Sequence, residues 1–373
     1  MSRLLVRHIG TLVTMNAERE VLHDVDVAIV DNRISAIGEA LELEGARVID
    51  GGDCIGLPGF VNVHHHLFQT LTRVVPRVQN AELFDWLVEN YKIWRHYAAE
   101  GIYLSAQVGL AELLLTGCTT TSDHLYLFPQ STSGELVDAE IRAAADLGIR
   151  FHPTRGSMSL GESCGGLPPD VICQDDETIL RDYERVVGLY HDPSPLAMCR
   201  IALAPCAPFN VTQNLLRETI RYARQRGLLC HTHLAETLDE ERYCLETYGK
   251  RPLQFMEDLE WLGPEVWYAH GIHFSDDELV QLAQTDTGVG HCPASNLRLG
   301  SGICRVPEML DAGMRVGIGV DGSSSNDASN MLRELQLTLL VHRIGPNGVG
   351  AMPAGRVLEL ATLGGARVLR RED

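Results

Sequence analysis

Over residues 1–55, apolar and polar positions alternate in short runs, Leu12-Val13, Val25-Asp26-Val27-Ala28-Ile29-Val30, Ile34-Ser35-Ala36-Ile37 and Val48-Ile49, broken by Asn, Asp and Gly. Period-two alternation between turn residues predicts short antiparallel strands, and so a separate small β-sandwich-like module over 1–55. Beyond it, short apolar runs alternate with longer amphipathic stretches. Strands are predicted at 55–64, 118–124, 149–156, 199–206, 228–234, 266–270, 287–292 and 315–320. Helices are predicted near 101–116, 134–147, 175–191, 213–227, 239–261, 275–285, 305–313 and 327–343. Eight such repeats predict an α/β fold, a TIM-type (β/α)8 barrel over 56–350. The stretch 351–373 reads as a C-terminal helix packing on the barrel, with no strands after it to complete the N-terminal module. The C-terminal part of that module is therefore expected to be missing, because the module is small or the sequence is a fragment.

Two segments, 67–99 and 157–174, are too long for ordinary strand-to-helix connections, and both follow barrel strands. They should lie at the face where barrel enzymes keep their sites, as lid or specificity elements, the alternative being decorative insertions.

Composition narrows the field. A chain of 373 residues with 45% hydrophobic content has ample core, and a net charge of −19 disfavours nucleic acid as a partner. A small, neutral or weakly charged substrate fits better. No signal-peptide core opens the chain and no run is long enough to cross a bilayer, so no membrane partner and a cytoplasmic location are expected. The ten cysteines are scattered without C-x-x-C spacing and are expected to be reduced.

His64 and His66 end the apolar run Gly56-Leu57-Pro58-Gly59-Phe60-Val61-Asn62-Val63. Alternate strand residues share a face, so the two imidazoles can grip one metal ion, although such pairs also occur as satisfied core residues. The fifth predicted strand ends His231-Thr232-His233-Leu234-Ala235-Glu236. A third imidazole there could join the pair, and His233 is chosen over His231 because a carboxylate three residues on could then face metal-bound water. The sixth strand places His270 at its mouth, and the eighth ends in Asp321 before a Gly/Ser turn. Taken singly, an Asp in that position is commonly a helix cap. Together these residues supply what a metal hydrolase needs: His64, His66, His233 and Asp321 as ligands, Asp321 and His270 around the water, and Glu236 as general acid/base. The chain has two lysines, Lys92 and Lys250, neither on a predicted strand, so no carbamylated lysine can bridge two ions. One ion is expected, Zn2+ by its imidazole-rich ligands, with Fe2+ possible.

The joint pattern Pro58-Gly59-x-x-Asn62-x-His64-x-His66, His233-x-x-Glu236, Ala269-His270, His291-x-Pro293-x-Ser295-Asn296 and Asp321-Gly322 resembles the amidohydrolase superfamily, in its mononuclear aminohydrolase branch. Stretches 64–73, 123–129, 154–158 and 166–169 are similar to 8-oxoguanine deaminases. The resemblance implies conversion of 8-oxoguanine and water to urate and ammonia, by hydroxide attack at C2 with Glu236 shuttling protons. Isoxanthopterin, guanine and hydroxytriazines are the alternative rings, and an inactive barrel with a binding role is the remote one. Similarity to guanine deaminases implies that Gln69 and Arg155 hold the O6 and N1 edge of the purine. Phe68, Trp86, Tyr126 and Phe128 could sandwich the ring, and His124, with Cys206 beside it, could reach its imidazole side. His291 and Asn296 are read as shaping the seventh loop. A homodimer is also implied.

Overall fold

In the computed structural model, which describes residues 2–132, 135–345 and 348–372, the alternating N-terminal runs form one five-stranded sheet. Its strands are β1 (Arg3–Val13), β2 (Val21–Val30), β3 (Arg33–Gly38), β4 (Arg47–Asp50) and β5 (Ile55–Gly56). β1 pairs antiparallel with β2, and β2 with β3, as the alternation predicts. β4 and β5 instead run parallel to β1. The reason is the connection 39–46, which carries the chain back to the start of β1, pairing Leu4 with Arg47, where a hairpin would have reversed it. Ile9, Leu12, Val25 and Val27 form the core of this unit, which spans Met1–Gly59.

The second unit, Phe60–Asp373, is the barrel. Among the described residues eight parallel strands close in sequence order: β6 (Phe60–Asn62), β7 (Cys118–Leu125), β8 (Arg150–Ser157), β9 (Ala202–Pro205), β10 (Leu229–Leu234), β11 (Val266–His270), β12 (Gly288–His291) and β13 (Val316–Ile318). All eight fall where the sequence places them. The first is shorter than predicted, because Ile55 and Gly56 pair with β1.

The helices are α1 (Leu83–Trp94), α2 (Ala99–Leu115), α3 (Leu136–Leu147), α4 (Asp176–Tyr190), α5 (Gln213–Arg226), α6 (Leu238–Tyr248), α7 (Pro252–Asp258), α8 (Asp276–Gln284), α9 (Pro293–Arg298), α10 (Val306–Asp311), α11 (Ser323–Asn326), α12 (Met331–Val341), α13 (Ala354–Glu359) and α14 (Gly365–Val368). The helix predicted over 239–261 is two: Gly249 ends α6 in the left-handed region at φ 68°, and Pro252 opens α7 at its first turn. Segment 67–99 contains α1, whereas 157–174 holds only single 3-10 turns.

The C-terminal stretch is α13, a π turn over Leu360–Gly364, and α14. It seals the barrel floor, where Ala366, Val368 and Leu369 cluster with Val61, Val63, Ala202 and Trp267. A Cβ on Gly365 would stand 2.7 Å from the Val61 carbonyl oxygen, so only glycine allows this approach. Every described cysteine is free. Among the described residues no helix is long and apolar enough to cross a membrane.

Candidate active site

The site is built at the C-terminal ends of the barrel strands. His64 and His66 follow β6 with ring centroids 4.7 Å apart, while His65 faces the other way and reaches Ser329 at 2.9 Å. Nε2 of His64 and Nε2 of His66 each lie 3.3 Å from the same oxygen of Asp321, Oδ1. His233 brings its own Nε2 to 3.0 Å from that of His66. His64, His66, His233 and Asp321 are all buried.

Tautomers decide what this convergence means. The Nδ1 atoms of His66 and His233 each lie 2.7 Å from a backbone carbonyl, of His124 and Cys206. A carbonyl only accepts, so both Nδ1 atoms carry hydrogen. Burial lowers the pKa of both rings and keeps them neutral. Two lone pairs therefore face each other across 3.0 Å. Among the described residues the buried Nε2 of His64 has no hydrogen-bond partner. Two imidazole lone pairs on one carboxylate oxygen, with a third beside them on His233, fit a divalent cation.

His231, passed over in favour of His233, also points inward, since residues two apart on a strand share a face. It lies one layer deeper, its Nε2 2.7 Å from Nδ1 of His64 and its ring stacked on Trp267 at 4.3 Å.

The acid/base candidates stand beside this cluster. Nε2 of His270 is 3.6 Å from Oε2 of Glu236 and 4.0 Å from Oδ2 of Asp321. Burial raises Glu236 to about 7, partly offset by His270. For His270 burial acts downward, but Glu236 and Asp321 overcome it, and the pKa is raised. Nδ1 of His270 lies 2.8 Å from Oδ1 of Asn296, so Asn296 orients the ring instead of merely shaping its loop. Ala235, His270 and Asp321 adopt positive φ, 54°, 71° and 61°. Such residues cost roughly 1–3 kcal/mol each, and here they turn three strand mouths sharply enough to aim the side chains inward.

A narrow cavity opens over these groups. Leu83, Trp86 and Leu87 of α1 form part of its wall, and Gln69 and Tyr126 line it. Cys206 lines it too, with a thiol pushed well up by burial, as does Ser325, which the sequence did not single out. Phe68 packs edge-on against Trp94 and Tyr126 behind that wall.

Two further residues expected at the substrate, Arg155 and His124, are not among those lining the cavity. Arg155 is buried: it binds Asp182 at 2.6 Å, Gln174 at 2.7 Å and the Gly156 carbonyl, and sits 3.7 Å over the Phe128 ring. Its donors are taken up inside the fold, because Asp182 and Gln174 come from parts of the chain that no local motif connects to it. His124 is fully buried, its Nε2 hydrogen-bonded to the Ala204 carbonyl at 2.8 Å, its own carbonyl orienting His66, and its ring stacked on His233 at 4.8 Å within the same histidine cluster.

Comparison with known proteins agrees with this arrangement. Residues 55–373 match the amidohydrolase family. The chain belongs to that family, and it is a hydrolase of C–N bonds. It is 47% identical over 328 residues to an 8-oxoguanine deaminase of Pseudomonas aeruginosa, an alignment covering 88% of this chain and 73% of that one. To an isoxanthopterin deaminase of an unknown prokaryote it is 38% identical, over 93% of this chain and 76% of the other. The crystal structure of an atrazine chlorohydrolase from Arthrobacter aurescens TC1 in complex with zinc superposes with a TM-score of 0.94 at 34% identity, covering 99% of this chain and 83% of that one.

Proposed function

We propose that this chain is a zinc-dependent deaminase converting 8-oxoguanine and water to urate and ammonia. The observation that carries the chemistry is the placement of Glu236 and His270 beside the cluster of His64, His66, His233 and Asp321. Those four residues would hold the ion. When bound, a divalent zinc acidifies water toward a pKa of about 7, so that a nucleophile exists at neutral pH. Support for 8-oxoguanine is the 47% identity to the Pseudomonas aeruginosa deaminase, and support for zinc is the imidazole-rich donor set together with the zinc-bound neighbour.

The chain's own residues then divide the work. Asp321 accepts a hydrogen bond from the attacking water. Glu236, with a pKa near neutrality, takes one proton of the water to the ring nitrogen and then carries the second, from the hydroxyl of the adduct, to the departing amine. As the new C2–O bond forms and the C2–N bond breaks, the amine leaves as ammonia and the ring keeps the carbonyl. His270 donates from Nε2 toward the oxygen on which charge gathers. Gln69 presents an amide whose Oε1 is buried without a partner among the described residues, a suitable acceptor for a lactam N–H. Trp86 and Tyr126 offer flat apolar surface to the ring.

The test is an ammonia-release assay on zinc-loaded protein with 8-oxoguanine, guanine, isoxanthopterin and a hydroxytriazine, following urate by its absorbance. We expect the highest kcat/KM on 8-oxoguanine, and a fall of about 10²–10⁴-fold in kcat for Glu236→Gln with zinc retained. A protein that leaves 8-oxoguanine untouched while turning over another ring would replace the substrate and keep the chemistry.

A further inference from the structure

Between β10 and α6 the chain makes the turn that delivers Glu236, and a second buried glutamate holds it. Thr237 caps α6, its side chain accepting from the Glu240 N–H at 3.3 Å. A glutamate at this third helical position ordinarily folds back onto the N–H of the cap residue, and Glu278 does so in α8, accepting from Ser275 N at 2.7 Å. Glu240 reaches further. Its Oε1 accepts from the Ala235 N–H at 3.1 Å and its Oε2 from the Glu236 N–H at 2.9 Å.

The turn is gripped on its opposite side as well. The Ala235 carbonyl accepts from Ile272 N at 2.8 Å and His273 N at 3.0 Å, just past His270. Ala235 is thus pinned in its left-handed conformation through both its N–H and its carbonyl. The same clamp ties the residue bearing Glu236 to the turn bearing His270. Glu240 is 1% exposed, and among the described residues it forms no salt bridge. Burying a carboxylate against two amides is costly, and a neutral residue could cap the helix more cheaply. What a neutral amide cannot do is accept at both ends of its side chain: glutamine offers one oxygen, and its NH2 group would face the second N–H.

We propose that Glu240 is a positioning residue for Glu236, holding its backbone so that the Glu236 carboxylate faces His270. This rests on the reading of Glu236 as the proton carrier. A displacement of the order of 1 Å at such a group costs about 10²-fold in rate.

The experiment uses the zinc-loaded full chain and the ring turned over best by the wild type. Glu240→Gln is expected to lower kcat by about 10–100-fold while KM stays within about twofold and bound zinc per chain is unchanged. Thr237→Val, which weakens the same helix cap but spares both amides, should lower the melting temperature and keep kcat. In a Glu236→Gln background, adding Glu240→Gln should cost little more, because both changes remove one function. Glu240→Asp keeps the charge, falls short of the two amides, and should repeat the loss if the glutamine variant folds poorly.

Multiplying losses in the double variant, or an unchanged kcat in both Glu240 variants, would overturn the role for Glu240 while leaving Glu236 in place. Full activity in Glu236→Gln would overturn the reading beneath it.

Discussion

His231 stands directly behind His64, its Nε2 2.7 Å from Nδ1 of the outer ring. Nδ1 of His231 lies 2.9 Å from the Trp267 carbonyl and must carry its hydrogen there. Nε2 of His231 is then the acceptor, Nδ1 of His64 the donor, and the lone pair of His64 is left at Nε2, toward Asp321. A tautomer at the metal cluster is therefore set two groups away, from the barrel floor. His231→Phe should keep the fold and weaken zinc binding by about 10–100-fold, measured by competition with a chromophoric chelator.

Gly322 sets the position of Gln69. A Cβ there would stand 1.9 Å from Gln69 Oε1, the far end of a flexible side chain, while the backbone of Gly322 is at an ordinary negative φ of −71°. Gly322→Ala should fold normally, push the carboxamide aside and raise KM by about tenfold, the worth of one hydrogen bond to substrate, with zinc content unchanged.

Arg155 separates a substrate contact from an internal brace. Its guanidinium is fully buried and paired with Asp182. Arg155→Met leaves that pair broken and should lower stability by about 3–5 kcal/mol in chemical denaturation. KM of the fraction that remains folded should change little, whereas a direct hold on the purine would raise it steeply.

Asp123 and Glu140 are two fully buried acids, and burial raises both. Burial, offset by the Leu67 N–H at 2.6 Å, lifts Asp123 to about 7, and burial with the charge of Asp123 lifts Glu140 well above its ordinary value. A raised acid binds its proton more tightly folded than unfolded. The stability it contributes is complete below about pH 4 and is lost as pH rises through 7, at up to about 1.4 kcal/mol per pH unit for each proton. Melting temperature should accordingly fall from pH 5 to pH 8, and Glu140→Gln, which shares a hydrogen bond without a second charge, should flatten that fall.

Much of the site was legible because the chemistry of barrels confines it to strand ends. His64, His66, His233, Glu236, His270 and Asp321 each follow a short apolar run, and their meeting needs only that the eight runs close in order. The groups that tune them were less visible. Asn296 and Glu240 act through single long-range or back-reaching hydrogen bonds that leave no periodic trace. The inward courses of Arg155 and His124 depend on Asp182, Gln174 and the Ala204 carbonyl, partners that no local motif connects to them. The parallel pairing of β4 and β5 escaped the pattern for a related reason: alternation tells which face a strand buries, not the direction in which a neighbour runs.

Without a cation between them, the facing lone pairs of His66 and His233 would repel each other. His64 and His66 follow β6, His233 lies on β10 and Asp321 follows β13, so a cation there would staple segments distant in the chain and relieve that repulsion in one event. Loading and folding would then be a single equilibrium, and each tenfold rise in the free cation above its dissociation constant would add about 1.4 kcal/mol to the resistance of the barrel to unfolding.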